Sequence, residues 1–91
     1  MVWTIDYTDT AKDQLRKLDK QTARRIVDYL NERIAVLENP RSIGKALTGP
    51  LGGFWRYRVG DYRMICDIQD QRIGVLALRL GRREEVYRQK R

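Results

Sequence analysis

Gly52-Gly53-Phe54-Trp55-Arg56-Tyr57-Arg58-Val59-Gly60-Asp61-Tyr62-Arg63 is the stretch around which this 91-residue chain is arranged. From Trp55 to Val59, apolar and basic side chains alternate with the two-residue period of a half-buried β-strand. Gly60-Asp61 supplies a two-residue loop of the Gly-X kind that suits a type II′ hairpin. Such a loop sets Val59 opposite Tyr62, Arg58 opposite Arg63 and Tyr57 opposite Met64. Arg56 and Arg58 share a face by the pleat, so three guanidinium groups converge on one side of the hairpin. Like charges directly opposite each other destabilise a sheet. An anion bound between them turns that cost into a gain.

Outward from the hairpin, Arg41 to Gly53 is a connector with Ser42, Gly44, Thr48, Gly49, Pro50, Gly52 and Gly53, too rich in breakers to be regular. Ile43, Ala46 and Leu47 are available to pin it to a core. On the other side, Tyr62 to Ile68 is the return strand, Gln69-Asp70-Gln71 a turn, and Ile73 to Leu80 a further strand. That last run is almost wholly apolar, which predicts a central strand covered on both faces. Gly81 ends it, and Arg82 to Arg88 is a short charged tail. At the start of the chain, Val2 to Tyr7 alternates, with Trp3, Ile5 and Tyr7 on one face, and reads as a strand. Thr8-Asp9-Thr10 offers N-caps for a helix over 9–18. Asp19 and Lys20 break it, and a longer helix over 20–38 carries an apolar stripe of Ala23, Val27, Leu30, Ile34 and Leu37. Asn39-Pro40 stops that helix. The order is β-α-α-β-β-β. We therefore expect one α+β domain over 1–91, with two N-terminal helices packed on a mostly antiparallel four-stranded sheet.

The net charge of +7 is unevenly placed. Residues 1–51 hold nine Lys or Arg against seven Asp or Glu, and residues 52–91 hold ten against five, nine of the ten being Arg. Arginine is preferred for bidentate phosphate contacts, so the bias favours nucleic acid or a ribonucleoprotein as partner. With no histidine and a single cysteine, histidine-based acid–base work, a Ser-His-Asp triad and ordinary zinc sites are excluded. No metal or other cofactor is expected. Gly49 to Gly53 lacks the Gly-Lys-Ser/Thr ending of a phosphate-binding P-loop. Cys66 reads as buried filler, and it has no partner for an internal disulfide. The chain has neither an apolar run long enough for a membrane span nor a signal peptide's basic and apolar regions, so a cytoplasmic protein with no membrane partner is expected. What remains is an arginine constellation with tyrosines, a set that holds a phosphate and stacks on bases. Tyr57 and Tyr62 share the face opposite the arginines and read as packing residues. For Arg79, inside the apolar strand, pairing with Asp67 or a partner chain stands beside a catalytic role.

Leu47, then Gly49-Pro50-Leu51-Gly52-Gly53, then Trp55 to Arg63, followed by Gly81-Arg82-Arg83 and Val86-Tyr87, together resemble the RelE/ParE superfamily of type II toxins. The resemblance covers essentially the whole chain, and the terminal Gly-x-Arg and Val-Tyr favour the RelE branch. It implies the RelE-like microbial RNase fold and a ribosome-dependent, metal-independent endoribonuclease. Such an enzyme cuts mRNA in the A site by attack of a 2′-hydroxyl on the phosphodiester, and so inhibits translation. It also implies a cognate RelB-like antitoxin and operator DNA binding by the complex through that antitoxin. On that resemblance Arg58, Arg63, Arg83 and Tyr87 are the catalytic candidates, and Arg56, Arg82 and Lys45 the RNA- or phosphate-binding ones. Arg63 takes the place of the phosphate-stabilising arginine, Arg83 that of the arginine serving the transition state or leaving group, and Tyr87 that of a base-orienting tyrosine. Arg56 and Arg58 replace two lysines, one of them proposed as general base. Arginine keeps its proton at any ordinary pH, so the proton acceptor is left open between Tyr87, water and a ribosomal group. The ParE branch implies a different reading, a DNA gyrase inhibitor without RNase activity. A basic accessory protein that only binds RNA is a third.

Overall fold

The structure, a computed structural model, describes residues 2–82; Arg83 and Tyr87 lie outside the described residues. In chain order it comprises β1 (Thr4–Tyr7), α1 (Asp9–Arg16), α2 (Lys20–Asp28), β2 (Lys45–Ala46), β3 (Trp55–Val59), β4 (Tyr62–Gln69) and β5 (Gly74–Arg82). The strands form one sheet in the order β1-β5-β4-β3-β2. All its pairings are antiparallel except that of β1 with β5, which is parallel. The expected α+β class and the two helices against one face of the sheet are both present. The expected count of four strands is corrected to five. The additional strand, β2, is two residues of the glycine-rich connector that pair with Arg56 and Trp55.

Both helices begin on side-chain caps. Thr8 accepts from the Ala11 amide at 3.1 Å, and Asp19 accepts from the amide and the hydroxyl of Thr22 at 3.1 and 2.7 Å, satisfying amides that the first turn leaves without partners. The Thr22 hydrogen bonds hold the Asp19 carboxyl below its ordinary value. The second helix was expected to run unbroken to residue 38. Instead α2 passes at Tyr29 into a π-helical turn, Tyr29–Ile34, closed where the Ala35 amide donates to the Leu30 carbonyl at 2.9 Å. The inward stripe becomes Ile26, Leu30 and Ile34, all fully buried.

The hairpin forms in the expected register, with Val59 opposite Tyr62, Arg58 opposite Arg63 and Tyr57 opposite Met64. Gly60 has φ of +57°, and Asp61 is not among the residues of positive φ, as a type II′ loop requires. Tyr57 is wholly buried, and its hydroxyl donates to the Pro40 carbonyl at 2.6 Å. Burial of an aromatic side chain of this kind contributes about 1.5–3 kcal/mol. The Tyr57 ring meets Tyr29 edge-on, with centroids 6.4 Å apart. Cys66 is buried in the same core, which pushes its thiol up to about 12 and leaves it inert packing.

The apolar run of β5 has a different cause from the one expected. Ile65 pairs with Arg79 but Cys66 pairs with Ala77, so Leu78 is an extra residue in β5, a β-bulge. Before it Val75 and Ala77 face the helices, and after it Leu80 does. Strict alternation would have turned Arg79 into the core. β1 ends opposite Ala77, and beyond that point α1 covers the strand edge. The Thr8 hydroxyl donates to the Leu78 carbonyl at 2.5 Å, and the Leu80 amide donates to Gln14 Oε1 at 2.7 Å. A helix cap and a helix side chain thus satisfy the backbone groups that the bulge and the missing strand leave without ladder partners.

Because Thr8 serves α1 and the bulge together, Thr8→Val should lower the unfolding free energy by about 1–2 kcal/mol. Urea unfolding of Thr8→Val, Gln14→Leu and the double variant measures it. A non-additive double variant is expected, since both side chains hold the same three residues of β5.

Candidate functional site

The helices cover one face of the sheet, and the pleat sends a different set of side chains to the other. Across that second face, two rows follow from the register. Arg56, Ile65 and Arg79 form one, and Arg58, Arg63 and Gly81 the next, nearer the hairpin loop. Ile65 is almost fully buried, in register between Arg56 and Arg79. Farther from the loop, Asp6, Leu76 and Asp67 make a third row. The face therefore grades from acidic to strongly cationic toward the hairpin.

The sequence-predicted residues divide accordingly. Arg56, Arg58 and Arg63 come together as expected, with Arg58 and Arg63 as a direct cross-strand pair. Lys45 joins them through its pairing with Arg56. Arg82 does not. The bulge places it with Leu80 on the helix side, where its guanidinium carbon lies 5.8 Å from the centre of the Tyr62 ring. Arg79, for which sequence left pairing and catalysis open, stands in the cationic row. A signal for this existed in the sequence: an arginine at a position that strict alternation would bury.

Of the clefts near the hairpin among the described residues, two hold candidate site residues. One, of about 300 Å³, is lined by Tyr29, Gly44, Lys45, Arg56 and Arg58 at the β2–β3 edge. The other, of about 290 Å³, lies on the helix side between α1 and Tyr62, with Leu18, Leu80 and Arg82 in its walls. The connector that carries Gly44 and Lys45 is held at three points. The Trp55 indole donates to the Ile43 carbonyl at 2.7 Å, and Tyr57 holds Pro40. Arg41 grips Asp70 with two hydrogen bonds of 3.0 Å, and these hold the Asp70 carboxyl below its ordinary value. At Gly44, with φ of +86°, a Cβ would come within 2.5 Å of the Arg56 carbonyl oxygen. Only glycine fits there.

Chemically, the cationic face binds and stabilises anions. Arginines hold a pentacoordinate phosphate in place, but they do not accept protons. Burial raises the Tyr7 phenol to about 12 and pushes Tyr29 and Tyr57 upward as well, so these tyrosines stay protonated. No group of three or more His, Cys, Asp or Glu placed to hold a metal ion occurs among the described residues, and no helix of the described residues is long and apolar enough to cross a membrane.

Comparison with known proteins agrees with this architecture. Residues 5–87 match the family of ParE toxins of the type II toxin–antitoxin system parDE. Toxin RelG of Mycobacterium tuberculosis is 31% identical over 88 residues, which span 97% of this chain and 99% of RelG. Toxin RelE of the same organism is 33% identical over 84 residues, or 92% of this chain and 84% of that protein. A chain in the crystal structure of the toxin–antitoxin complex RelBE2 from Mycobacterium tuberculosis superposes with a TM-score of 0.82 at 29% identity, covering 91% of this chain and 93% of that one. By a family match over nearly its whole length and by relatives of the same size and fold, the chain belongs to the RelE/ParE superfamily of type II toxins.

Proposed function

We propose that this toxin is a ribosome-dependent endoribonuclease that cuts mRNA in the A site and thereby stops translation. The observation that carries the reading is the Arg58–Arg63 cross-strand pair flanked by Arg56 and Arg79 on one face of the sheet, in a chain whose named relatives are Rel toxins. The 2′-oxygen attacks the adjacent phosphorus and the bond to the 5′-oxygen breaks, leaving a cyclic phosphate. The proton lost from the 2′-hydroxyl is balanced by one gained at the 5′-oxygen. Arg63 and Arg58 hold the two non-bridging oxygens as charge builds on the phosphorane, an electrostatic contribution of several kcal/mol in sites of this kind. Arg56 and Lys45 hold the phosphates of the flanking strand. Arg83 serves the leaving group and Tyr87 orients a base; both lie outside the described residues. Arg82, on the helix side, contacts backbone phosphate at the rim.

No metal ion enters the proposed chemistry, and the Arg56, Arg58, Arg63 and Arg79 side chains accept no proton. The described carboxylates of the face, Asp6 and Asp67, lie in the row farther from the hairpin loop. The acceptor is therefore water, Tyr87 or a group of the ribosome, with positioning and charge stabilisation supplying most of the rate. The toxin acts in the cytoplasm, where a RelB-like antitoxin silences it and carries the complex to operator DNA. The structural relative in a toxin–antitoxin complex supports the partner. An acidic, partly helical antitoxin segment suits the cationic face. A second reading, inhibition of DNA gyrase, is favoured by the match to a family described as ParE toxins.

Two experiments test these points. In low salt, inorganic phosphate should raise the thermal midpoint of the wild type. Arg58→Ala should have a higher midpoint without phosphate, because one of two opposed like charges is gone, and should respond less to the added anion. In cells, induction of the wild type should fragment mRNA within coding regions, and Arg63→Ala or Arg83→Ala should abolish growth arrest with the fold intact. A map of mRNA ends after induction reads this directly. Intact mRNA with replication arrest and DNA breaks would select the gyrase reading instead.

A further inference from the structure

The cleft at the β2–β3 edge combines cationic side chains with an aromatic one. β2 pairs with only two residues of β3, Trp55 and Arg56, so among the described residues no strand pairs with the outer edge of β3 from there to the hairpin. In an antiparallel ladder, alternate residues direct their backbone groups to opposite edges. The Leu47 amide donates to the Phe54 carbonyl on the β2 side, and the same parity turns the backbone N–H and C=O of Arg58 toward the open edge. The recess here measures about 300 Å³, at the small end of ligand sites and thus of a size for a single small group. Gly44 lines it, packed so closely on β3 that a Cβ would strike the Arg56 carbonyl and the Trp55 indole nitrogen at 2.5 and 2.6 Å. Lys45, Arg56 and Arg58 make its lining cationic, with no carboxylate among the described residues that line it. The aromatic wall among its described residues is Tyr29, at which α2 widens into the π-helical turn. Widened turns of this kind often mark functional positions. The edge-on contact with Tyr57, at an interplanar angle of 62°, fixes the orientation of that ring.

We propose that this recess is a subsite for one unpaired ribonucleotide, with Tyr29 stacking on its base and Lys45 and Arg58 holding its phosphate. The inference rests on the reading of the cationic face as an RNA-binding one. Arg58 belongs both to the recess and to the pair with Arg63, so a strand laid across that pair brings a neighbouring nucleotide to Tyr29. Base stacking on an aromatic ring tolerates every base and adds affinity that phosphate contacts alone do not supply. The open backbone N–H and C=O of Arg58 lie within the same edge, where they meet the hydrogen-bonding edge of a stacked base. The subsite therefore sets the nucleotide context in which the toxin engages its strand.

Fluorescence anisotropy with labelled 2′-O-methyl pentaribonucleotides, which cannot be cut, tests this on the purified chain. A series in which each position in turn lacks its base is compared with the intact pentamer. For the wild type, removal of one particular base should weaken binding about tenfold, with smaller losses elsewhere. Tyr29→Phe should keep that dependence and Tyr29→Leu should erase it. Lys45→Gln should keep the dependence but lower the salt slope by about 0.7, as for one lost phosphate contact to a single strand. Equal affinities across the wild-type series overturn the subsite even if Tyr29→Leu fails to fold. So does a Tyr29→Leu variant that folds and keeps the full base dependence. Fragmented mRNA in cells with no base dependence in this assay retains the nuclease and removes the subsite. A Tyr29-dependent base effect with intact mRNA retains the subsite and removes the nuclease.

Discussion

One extra residue in β5 decides which side of the sheet each later side chain of that strand faces. With Leu78 bulged between Ala77 and Arg79, Leu80 returns to the core and Arg79 turns to the cationic face. Without it, the guanidinium would be forced into an apolar interior at a cost of several kcal/mol. The bulge is held from outside the sheet. Thr8 caps α1 and donates to the Leu78 carbonyl, and Gln14 accepts from the Leu80 amide. The helix layer and the charge pattern on the opposite face are therefore one construction, because the contacts that seat α1 also set the phase of β5.

The same phase change separates two arginines that stand close in sequence. Arg79 joins Arg56, Arg58 and Arg63, while Arg82 stacks on Tyr62 among the helices. The resulting face is rich in fixed positive charge near the hairpin, and its described carboxylates, Asp6 and Asp67, stand in the row farther from the loop. Opposed guanidinium groups raise the energy of the empty face and lower it when an anion arrives, so the binding of charge is built into the hairpin. A face of this kind stabilises a developing phosphorane better than it begins the attack. This is why the proposed chemistry draws its proton acceptor from Tyr87, from water or from the ribosome.

Much of this was legible in the chain. The alternation from Trp55 to Val59 and the Gly60-Asp61 loop are local signals, and local signals gave the hairpin and its register. The cap at Thr8 was legible for the same reason, whereas Asp19 read as a break after the first helix and in fact caps the second. The features that escaped depend on distant contacts. β2 exists because Lys45–Ala46 meet β3, within a connector whose composition reads as loop. The π-helical turn at Tyr29–Ile34 leaves no mark in an apolar stripe whose steps of three and four fit an α-helix equally well. The bulge had a trace in the conflict between Arg79 and a buried phase, but the uninterrupted apolar run pointed instead to a strand covered on both faces. For the site, the Arg56–Arg58–Arg63 convergence followed from the pleat. The helix-side position of Arg82 and the part of Tyr29 in the cleft required the folded chain.

The central claim is that the cationic face cuts RNA through the substrate's own 2′-oxygen. Its most direct test uses ribosomes programmed with a synthetic mRNA whose A-site codon carries one 2′-deoxynucleotide at the position cut in the all-ribose message. Addition of the toxin should cut the all-ribose message, leave a cyclic phosphate on the upstream fragment, and spare the bond next to the deoxy sugar. Cutting at the deoxy position, or an intact message in both cases, would contradict the account.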